Sequence, residues 1–150
     1  MPISKGVSLM FNKEEYAKII ILGEVQSQLR PIFNSKTRKA IDPKKCRDYK
    51  ALVSLTTKKY YQDNPLDEPL RVEVDIYRSI PKSWSNKKKE MAKNGELFPT
   101  SKPDTENLSK GILDGMSGLV WRDDSIIIEH EIKKFYSTVP RAEVRVYRMV

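Results

Sequence analysis

The stretch Lys102-Pro103-Asp104-Thr105-Glu106-Asn107-Leu108-Ser109-Lys110 marks the place where the chain is expected to pass from extended to helical backbone. Its proline fixes φ and keeps the preceding lysine extended, so we expect the chain to enter this stretch straight. Asp104 stands where a helix N-cap belongs. Apolar side chains then recur at intervals of four residues, at Leu108, Ile112 and Met116, which predicts an amphipathic helix.

Four carboxylates are expected near the start of this helix. Asp104 and Glu106 are two residues apart, so in a chain passing from extended to helical they can project in the same direction. Asp123 and Asp124 precede the apolar run at residues 126–128 and can add a carboxylate from the tip of a strand. Carboxylates held this close repel one another, and a hard cation such as Mg²⁺ would relieve that repulsion.

A simpler interpretation of the same residues stays open. Asp104 can serve only as a helix cap, and Glu106 with Lys110 only as a surface pair one helical turn apart. Asp123 and Asp124 can form only a turn. Short motifs match by chance, so the spacing alone does not decide between the two interpretations.

The stretch resembles the signature of the RusA family of Holliday-junction resolvases. That signature is usually written Asp-x-Asp-Asn-Leu-x-Lys, then Asp-Ala-Leu, then Asp-Asp ahead of a β-strand. The matching positions in this sequence are Asp104, Glu106, Asn107, Leu108, Lys110, Asp114, Asp123 and Asp124. Glu106 stands where the family usually has Asp, which keeps the charge but lengthens the side chain by one methylene group.

This resemblance implies a small dimeric endonuclease that cuts four-way DNA junctions. For a phosphodiester hydrolase, we expect Asp104, Glu106 and Asp124 to hold Mg²⁺, or Mn²⁺ in its place, with Asp123 as a further or alternative ligand. Lys110 is the fourth expected catalytic residue, because its ammonium group can stabilise negative charge in the transition state. Two symmetric cuts in one junction fit a twofold homodimer with two active sites.

Two other residues of the signature receive smaller roles. Asn107 is expected to orient a ligand or a water molecule. Asp114 is expected to be structural or to lie at an interface.

The composition favours a polyanionic partner. Lys and Arg number 28 against 20 Asp and Glu, which gives a net charge of +8 and makes nucleic acid the first candidate. No apolar run approaches the ~20 residues that a membrane span needs, so we expect no membrane association. A single cysteine, Cys46, excludes an intramolecular disulfide framework and fits a cytoplasmic protein. The lone His130 is expected to be packed or solvated rather than a catalytic base, and one His with one Cys excludes a four-ligand structural zinc site.

Two basic segments precede the acidic stretch in the sequence, one at residues 36–47 and the other at residues 81–101. In the segment at residues 81–101, Trp84 is expected to anchor a short helix whose lysines face outward, although tryptophan can also stack on a nucleic-acid base. The predicted DNA-contacting residues are Arg30, Lys39, Lys82, Lys87, Lys88 and Lys102.

The chain pattern predicts a single small α/β (α+β) domain at residues 16–150, preceded by an N-terminal extension at residues 1–15. Helices are expected to pack on one mixed sheet. The expected strands cover residues 16–22, 70–77, 125–135 and 142–149. The short connection between the last two predicts an antiparallel hairpin.

Three helices are expected between these strands. The first begins at an Asp42 N-cap with proline at its first position and ends near residue 62. Asn94-Gly95 ends the second, and Asp104 opens the third. In the third, Gly111 and Gly115 predict close backbone approach and Gly118 a helix stop.

Two other functions remain consistent with the residues. The first is a non-catalytic basic nucleic-acid-binding module, in which the acidic residues are caps and surface pairs. The second is a metal-dependent phosphatase or nucleotidase that acts on small phosphates, although such an enzyme does not need a charge of +8.

Overall fold

The computed structural model of the protein describes residues 11–149. Its strands are β1 (Phe11–Leu22), β2 (Ile32–Asn34), β3 (Lys39–Ile41), β4 (Leu70–Ser79), β5 (Ile127–Ser137) and β6 (Arg141–Met149). Its helices are α1 (Lys44–Tyr60), α2 (Asn86–Lys93) and α3 (Thr105–Met116), and a 3₁₀ turn at Asp124–Ile126 precedes β5. The mixed four-stranded sheet has the order β1-β6-β4-β5, while β2 and β3 pair separately. This arrangement confirms the predicted α+β fold class.

One face of the sheet carries the apolar core. Alternate residues of a strand share a face, and Val72, Val74 and Ile76 of β4 are all fully buried. Helices α1 and α3 contribute Val53 and Ile112 to the same core. The edge strand β1 buries Ile19 and Ile21 on this face, and the residues between and beside them are at least partly exposed.

β1 also begins earlier than predicted. It starts at Phe11 rather than at residue 16. Residues 1–10 of the predicted N-terminal extension lie outside the described residues, and the division into extension and domain stays a prediction.

The predicted hairpin of the last two strands is wrong. β4 lies between β5 and β6, parallel to β5 and antiparallel to β6. Ser137 aligns with Ser79 of β4, and Arg141 aligns with Tyr77, so the connection at residues 138–140 passes over the end of β4. Two strand spacings amount to about 10 Å, which four residue steps of up to about 3.5 Å can span.

The start of α1 also differs from the prediction. Pro43 occupies the N-cap position and makes no side-chain cap. Asp42 instead accepts a hydrogen bond from the Lys50 ammonium group, with Oδ2 and Nζ 2.5 Å apart. A charged donor gives a stronger hydrogen bond than the neutral N–H groups of a helix end. At the other end of α1, Tyr61 is buried, whereas Tyr60 is exposed.

Glycine lets α3 approach α1 closely, as predicted. A Cβ atom built on Gly115 would lie 2.6 Å from Cβ and Cγ1 of Val53, closer than real Cβ contacts. A Cβ on Gly111 would lie 3.3 Å from the Tyr49 ring, a tight contact that a small shift relieves. Gly118 ends the helix region with φ at +85°. The two helices therefore pack through backbone at Gly115, which fixes the position of α3.

Candidate active site

A groove of about 370 Å³ lies at the N-terminal end of α3. Its lining residues are Gln28, Leu29, Arg30, Pro31, Asp104, Glu106, Asn107 and Lys110. The groove therefore brings together three of the four predicted catalytic residues, the predicted Asn107 and one predicted DNA contact, Arg30. Asp104, Glu106, Lys110 and Arg30 are all exposed.

The cap of α3 fixes one wall of this groove. Asp104 has extended backbone angles, and its Oδ1 accepts a hydrogen bond from the Asn107 N–H at 2.7 Å. Glu106 lies in the first helical turn, where the helix dipole favours a negative charge. The cap interpretation of Asp104 is therefore correct, and the capping residue still faces the groove beside Glu106.

The approach to the cap differs from the prediction. Residues 101–103 form a bend, so the chain does not enter α3 straight. The Lys102–Pro103 peptide bond in this bend is cis. Lys134 of β5 holds this bend by donating hydrogen bonds to the carbonyl oxygens of Ser101 (3.2 Å) and Pro103 (3.1 Å). The residue next to Asp104 is thus tied to the sheet.

The opposite wall is a loop held between two helices. The Gln28 N–H donates to the carbonyl oxygen of Asn107 in α3 at 3.2 Å. In α1, the Cys46 sulfur accepts from the Leu29 N–H at 3.3 Å, and the thiol donates to the Ser27 carbonyl at 3.6 Å. These contacts hold the segment that carries Arg30 against the acidic residues.

Sequence reasoning missed the positioning roles of Cys46 and Lys134. Both bind backbone groups of distant segments, and no residue type marks such a backbone partner in the sequence. The burial of cysteine in most folds was the single available signal for Cys46.

The second pair of predicted acidic residues lies elsewhere. Oδ1 of Asp124 accepts from the indole N–H of the buried Trp121 at 2.7 Å. The backbone of Trp121 pairs with Ser117 at the C-terminal end of α3, whereas Asp104 caps the other end of this helix, which is about 18 Å long. Neither Asp123 nor Asp124 lines the groove.

Asp123 has a local structural role. Its Oδ2 accepts from the Ser125 N–H at 2.9 Å, and hydrogen bonding to Ser125 lowers the pKa of the Asp123 carboxyl group. Among the side chains that the structure describes, no three from His, Cys, Asp or Glu gather in a way that could hold a metal ion.

The chemistry of the groove nevertheless suits Mg²⁺. This ion keeps several of its water molecules and is usually bound by one or two carboxylates together with substrate phosphates. Asp104 and Glu106 supply two exposed carboxylates in one groove, and Arg30 and Lys110 supply positive charge for a phosphate beside them. The donor set therefore fits the ion that the sequence predicts.

The remaining predicted DNA contacts are all exposed. Lys39 lies in β3, Lys82 in the turn before α2, and Lys102 in the bend before α3. Lys87 and Lys88 lie in the first turn of α2.

Trp84 anchors α2 to the sheet, as predicted. Its ring packs edge-on against Tyr136 of β5, with the centroids 5.2 Å apart. The Lys88 ammonium group lies 4.1 Å from the centroid of the same ring. Trp84 thereby fixes the start of the short helix, while Lys87 and Lys88 remain exposed.

Asp114 has the structural role that the sequence predicts. Lys50 of α1 lies 3.0 Å from its carboxylate and also contacts Asp42. Partial burial lowers the pKa of Lys50, but the hydrogen bonds to these two carboxylates outweigh it, so the pKa of Lys50 is raised overall. His130 lies in β5 and has no part in the groove.

A family model described as Endodeoxyribonuclease RusA matches residues 23–147, a range that contains the whole groove. The chain belongs to the RusA family. Membership of this family implies an endonuclease activity that resolves Holliday junctions. The chain is also similar to the uncharacterized protein YqaN of Bacillus subtilis (strain 168), with 39% identity over 134 residues that cover 86% of this chain and 94% of YqaN. In the described part of this RusA-family chain, no helix is long and apolar enough to cross a membrane.

Proposed function

We propose that the protein is a Mg²⁺-dependent endodeoxyribonuclease that resolves four-way DNA junctions by two symmetric cuts, as a homodimer. The observation that carries this proposal is the groove in which Asp104 and Glu106 lie beside Lys110 and Arg30. Acidic and basic groups in one groove suit a phosphodiester, because carboxylates can hold the metal while the cations bind the phosphate.

Each groove residue has a proposed task. Asp104 and Glu106 would hold Mg²⁺, or Mn²⁺ in its place, and the bound ion would polarise the phosphoryl oxygen and lower the pKa of an attacking water molecule. Lys110, one helical turn beyond Glu106, stabilises the negative charge that develops on the phosphate. Arg30 binds a phosphate oxygen from the opposite wall.

The surrounding residues orient these groups. The hydrogen bond from the Asn107 N–H fixes the Asp104 carboxylate. The exposed lysines at positions 82, 87, 88 and 102 extend the positive surface along which the DNA arms lie. Lys39 extends it on the side of Arg30.

The proposed homodimer also gives Asp124 a possible catalytic role in the second protomer. In one protomer this residue is held at Trp121, away from the groove. We propose that Asp124, with Asp123 beside it, joins the groove of the second protomer and completes its set of carboxylates. Catalysis would then require the dimer.

The test is cleavage of a labelled synthetic four-way junction and of a linear duplex of the same sequence, each with Mg²⁺, with Mn²⁺ and with EDTA. We expect paired cuts in the junction with either metal and none with EDTA. Asp104→Asn should bind the junction without cutting it, since asparagine keeps the helix cap but loses the charge. Junction binding without cleavage by the unmodified protein would instead favour the non-catalytic binding module.

A further inference from the structure

The β2–β3 hairpin exposes apolar side chains on both of its faces. Opposed residues of paired strands share a face, so Ile32 and Ile41 lie on one side and Phe33 and Ala40 on the other. Ile32 is 61% exposed, Phe33 65% and Ile41 41%. A two-stranded hairpin gains little stability without a layer packed on it, so these side chains are available to a partner.

The charge of the segment indicates the chemistry of that partner. Residues 30–47 contain seven basic residues and one acidic residue, Asp42, whose carboxylate is already paired with Lys50 at 2.5 Å. Lys36, Arg38 and Lys39 are exposed at the turn and at its end. Two copies of so basic a segment repel each other, whereas DNA phosphates attract it.

The position of the hairpin relates it to the groove. β2 begins at Ile32, directly after Arg30 and Pro31, which line the groove with Asp104. The segment before the hairpin is tied to α1 through Cys46 and to α3 through Asn107. DNA with a phosphate in the groove therefore passes next to the hairpin.

We propose that the hairpin recognises the branch point of the DNA junction, an inference that rests on the proposed function. Phe33 stacks on a base that is partly unstacked at the branch point, and the cations at positions 36, 38 and 39 bind the adjacent phosphates. Apolar side chains of this kind can insert at base steps, and aromatic side chains stack on free base faces. Base faces are covered in a continuous duplex, so this contact gives a preference for junctions over linear DNA.

The experiment measures binding in EDTA, where cleavage plays no part. Phe33→Ala should weaken binding to a four-way junction by roughly 5- to 150-fold, the range expected for loss of one stacked base, and leave binding to the matched duplex unchanged. Phe33→Trp should retain junction binding. With 2-aminopurine at the branch point, the unmodified protein should change the fluorescence, and Phe33→Ala should not.

Phe98→Ala is the matched control, because Phe98 is 55% exposed and lies outside both the groove and the hairpin. We expect it to bind like the unmodified protein. An unchanged junction affinity for Phe33→Ala, or equal losses for junction and duplex, would overturn the inference. So would dissociation of a dimer by Phe33→Ala in sedimentation, which would make the patch an interface between copies.

The outcomes separate this inference from the proposed function. A selective loss for Phe33→Ala in a protein that never cuts with Mg²⁺ would support the hairpin inference and refute the nuclease proposal. Metal-dependent junction cleavage with no effect of Phe33→Ala would do the opposite.

Discussion

At the scale of the residue, Asp104 combines two roles that the sequence presents as alternatives. One oxygen of its carboxylate caps α3 through the Asn107 N–H, and the side chain still lines the groove. A cap needs one acceptor oxygen, and a carboxylate has two. The cap therefore orients the group rather than removing it from the chemistry.

Two substitutions of Glu106 test the metal site, because one shortens the side chain and the other removes its charge. Glu106→Asp keeps the charge and restores the usual family residue, so we expect cleavage to persist, with a shifted ratio of Mg²⁺ to Mn²⁺ activity as the arm shortens. Glu106→Gln keeps the length and removes the charge, so we expect cleavage to be lost. Single-turnover junction cleavage measures both. An active Glu106→Gln protein would make Glu106 only a surface residue, whose loss costs about 0.2–0.5 kcal/mol.

Lys134 is expected to act as a positioning residue. Lys134→Ala releases the carbonyl oxygens of Ser101 and Pro103, so the bend before Asp104 loses its tie to β5. We expect single-turnover cleavage to slow on the order of 10- to 100-fold, because small displacements of catalytic groups are costly, with junction affinity in EDTA unchanged.

The neighbouring lysine provides the control for this variant. Lys133 points to the other face of the sheet and pairs with Glu131 at 3.2 Å. Lys133→Ala should cut at the unmodified rate. If both variants slow equally, Lys134 acts through general charge and not through the bend.

At the scale of the element, the contact between α1 and α3 depends on one glycine. Gly115→Ala places a methyl group within 2.6 Å of Val53 and 3.0 Å of the Lys50 carbonyl oxygen. We expect it to lower the free energy of unfolding by about 1–3 kcal/mol, as overpacked cores do. Urea unfolding followed by circular dichroism measures the change.

Gly111→Ala is the paired control in the same helix. Its methyl group would meet the edge of the Tyr49 ring at 3.3 Å and the Gln26 carbonyl oxygen at an ordinary contact distance of 3.8 Å, and alanine favours the helix by up to about 1 kcal/mol. We expect a change within about 1 kcal/mol of zero. If Gly115→Ala were as stable as Gly111→Ala, α1 and α3 could move apart at Gly115 without lowering the free energy of unfolding.

The long elements could be predicted from the sequence, but their pairing could not. Period-2 and period-3.6 patterns identify β4, β5, β6 and α3, because each buries a regular set of apolar side chains. The pattern does not state which strand lies beside which, so the insertion of β4 between β5 and β6 was missed. The β2–β3 hairpin was missed because its three-residue strands are too short to show alternation.

The candidate site, like the fold, could be predicted from the sequence only in part. Asp104, Glu106 and Lys110 are close in sequence and could be placed together from spacing alone. Asp124 could not be placed, because its separation from the groove depends on Trp121 pairing at the far end of α3.

At the scale of the whole molecule, the proposed sharing of carboxylates between protomers predicts complementation. Asp104→Asn and Asp124→Asn should each be inactive alone. A mixed dimer contains one site with both wild-type carboxylates and one site with neither, so mixing the variants should restore about one site in each mixed dimer. The expected product is a nicked junction, measured under native and denaturing electrophoresis.

The control is a mixture of Asp104→Asn with Glu106→Gln, whose changes fall in the same groove of each protomer. Every site in that mixed dimer lacks one carboxylate, so we expect no recovery. No recovery in the first mixture would place the complete site within a single protomer.

The strand order also has a consequence for synthesis on the ribosome. β1 is complete at Leu22, but its only neighbour in the described sheet, β6, begins at Arg141. At about 5–20 residues per second, the growing chain carries β1 for roughly 6 to 24 s before its partner has been made. During that interval the apolar residues Ile19 and Ile21 have no strand beside them, and an unpaired apolar strand of this kind is prone to aggregate until β6 covers its edge.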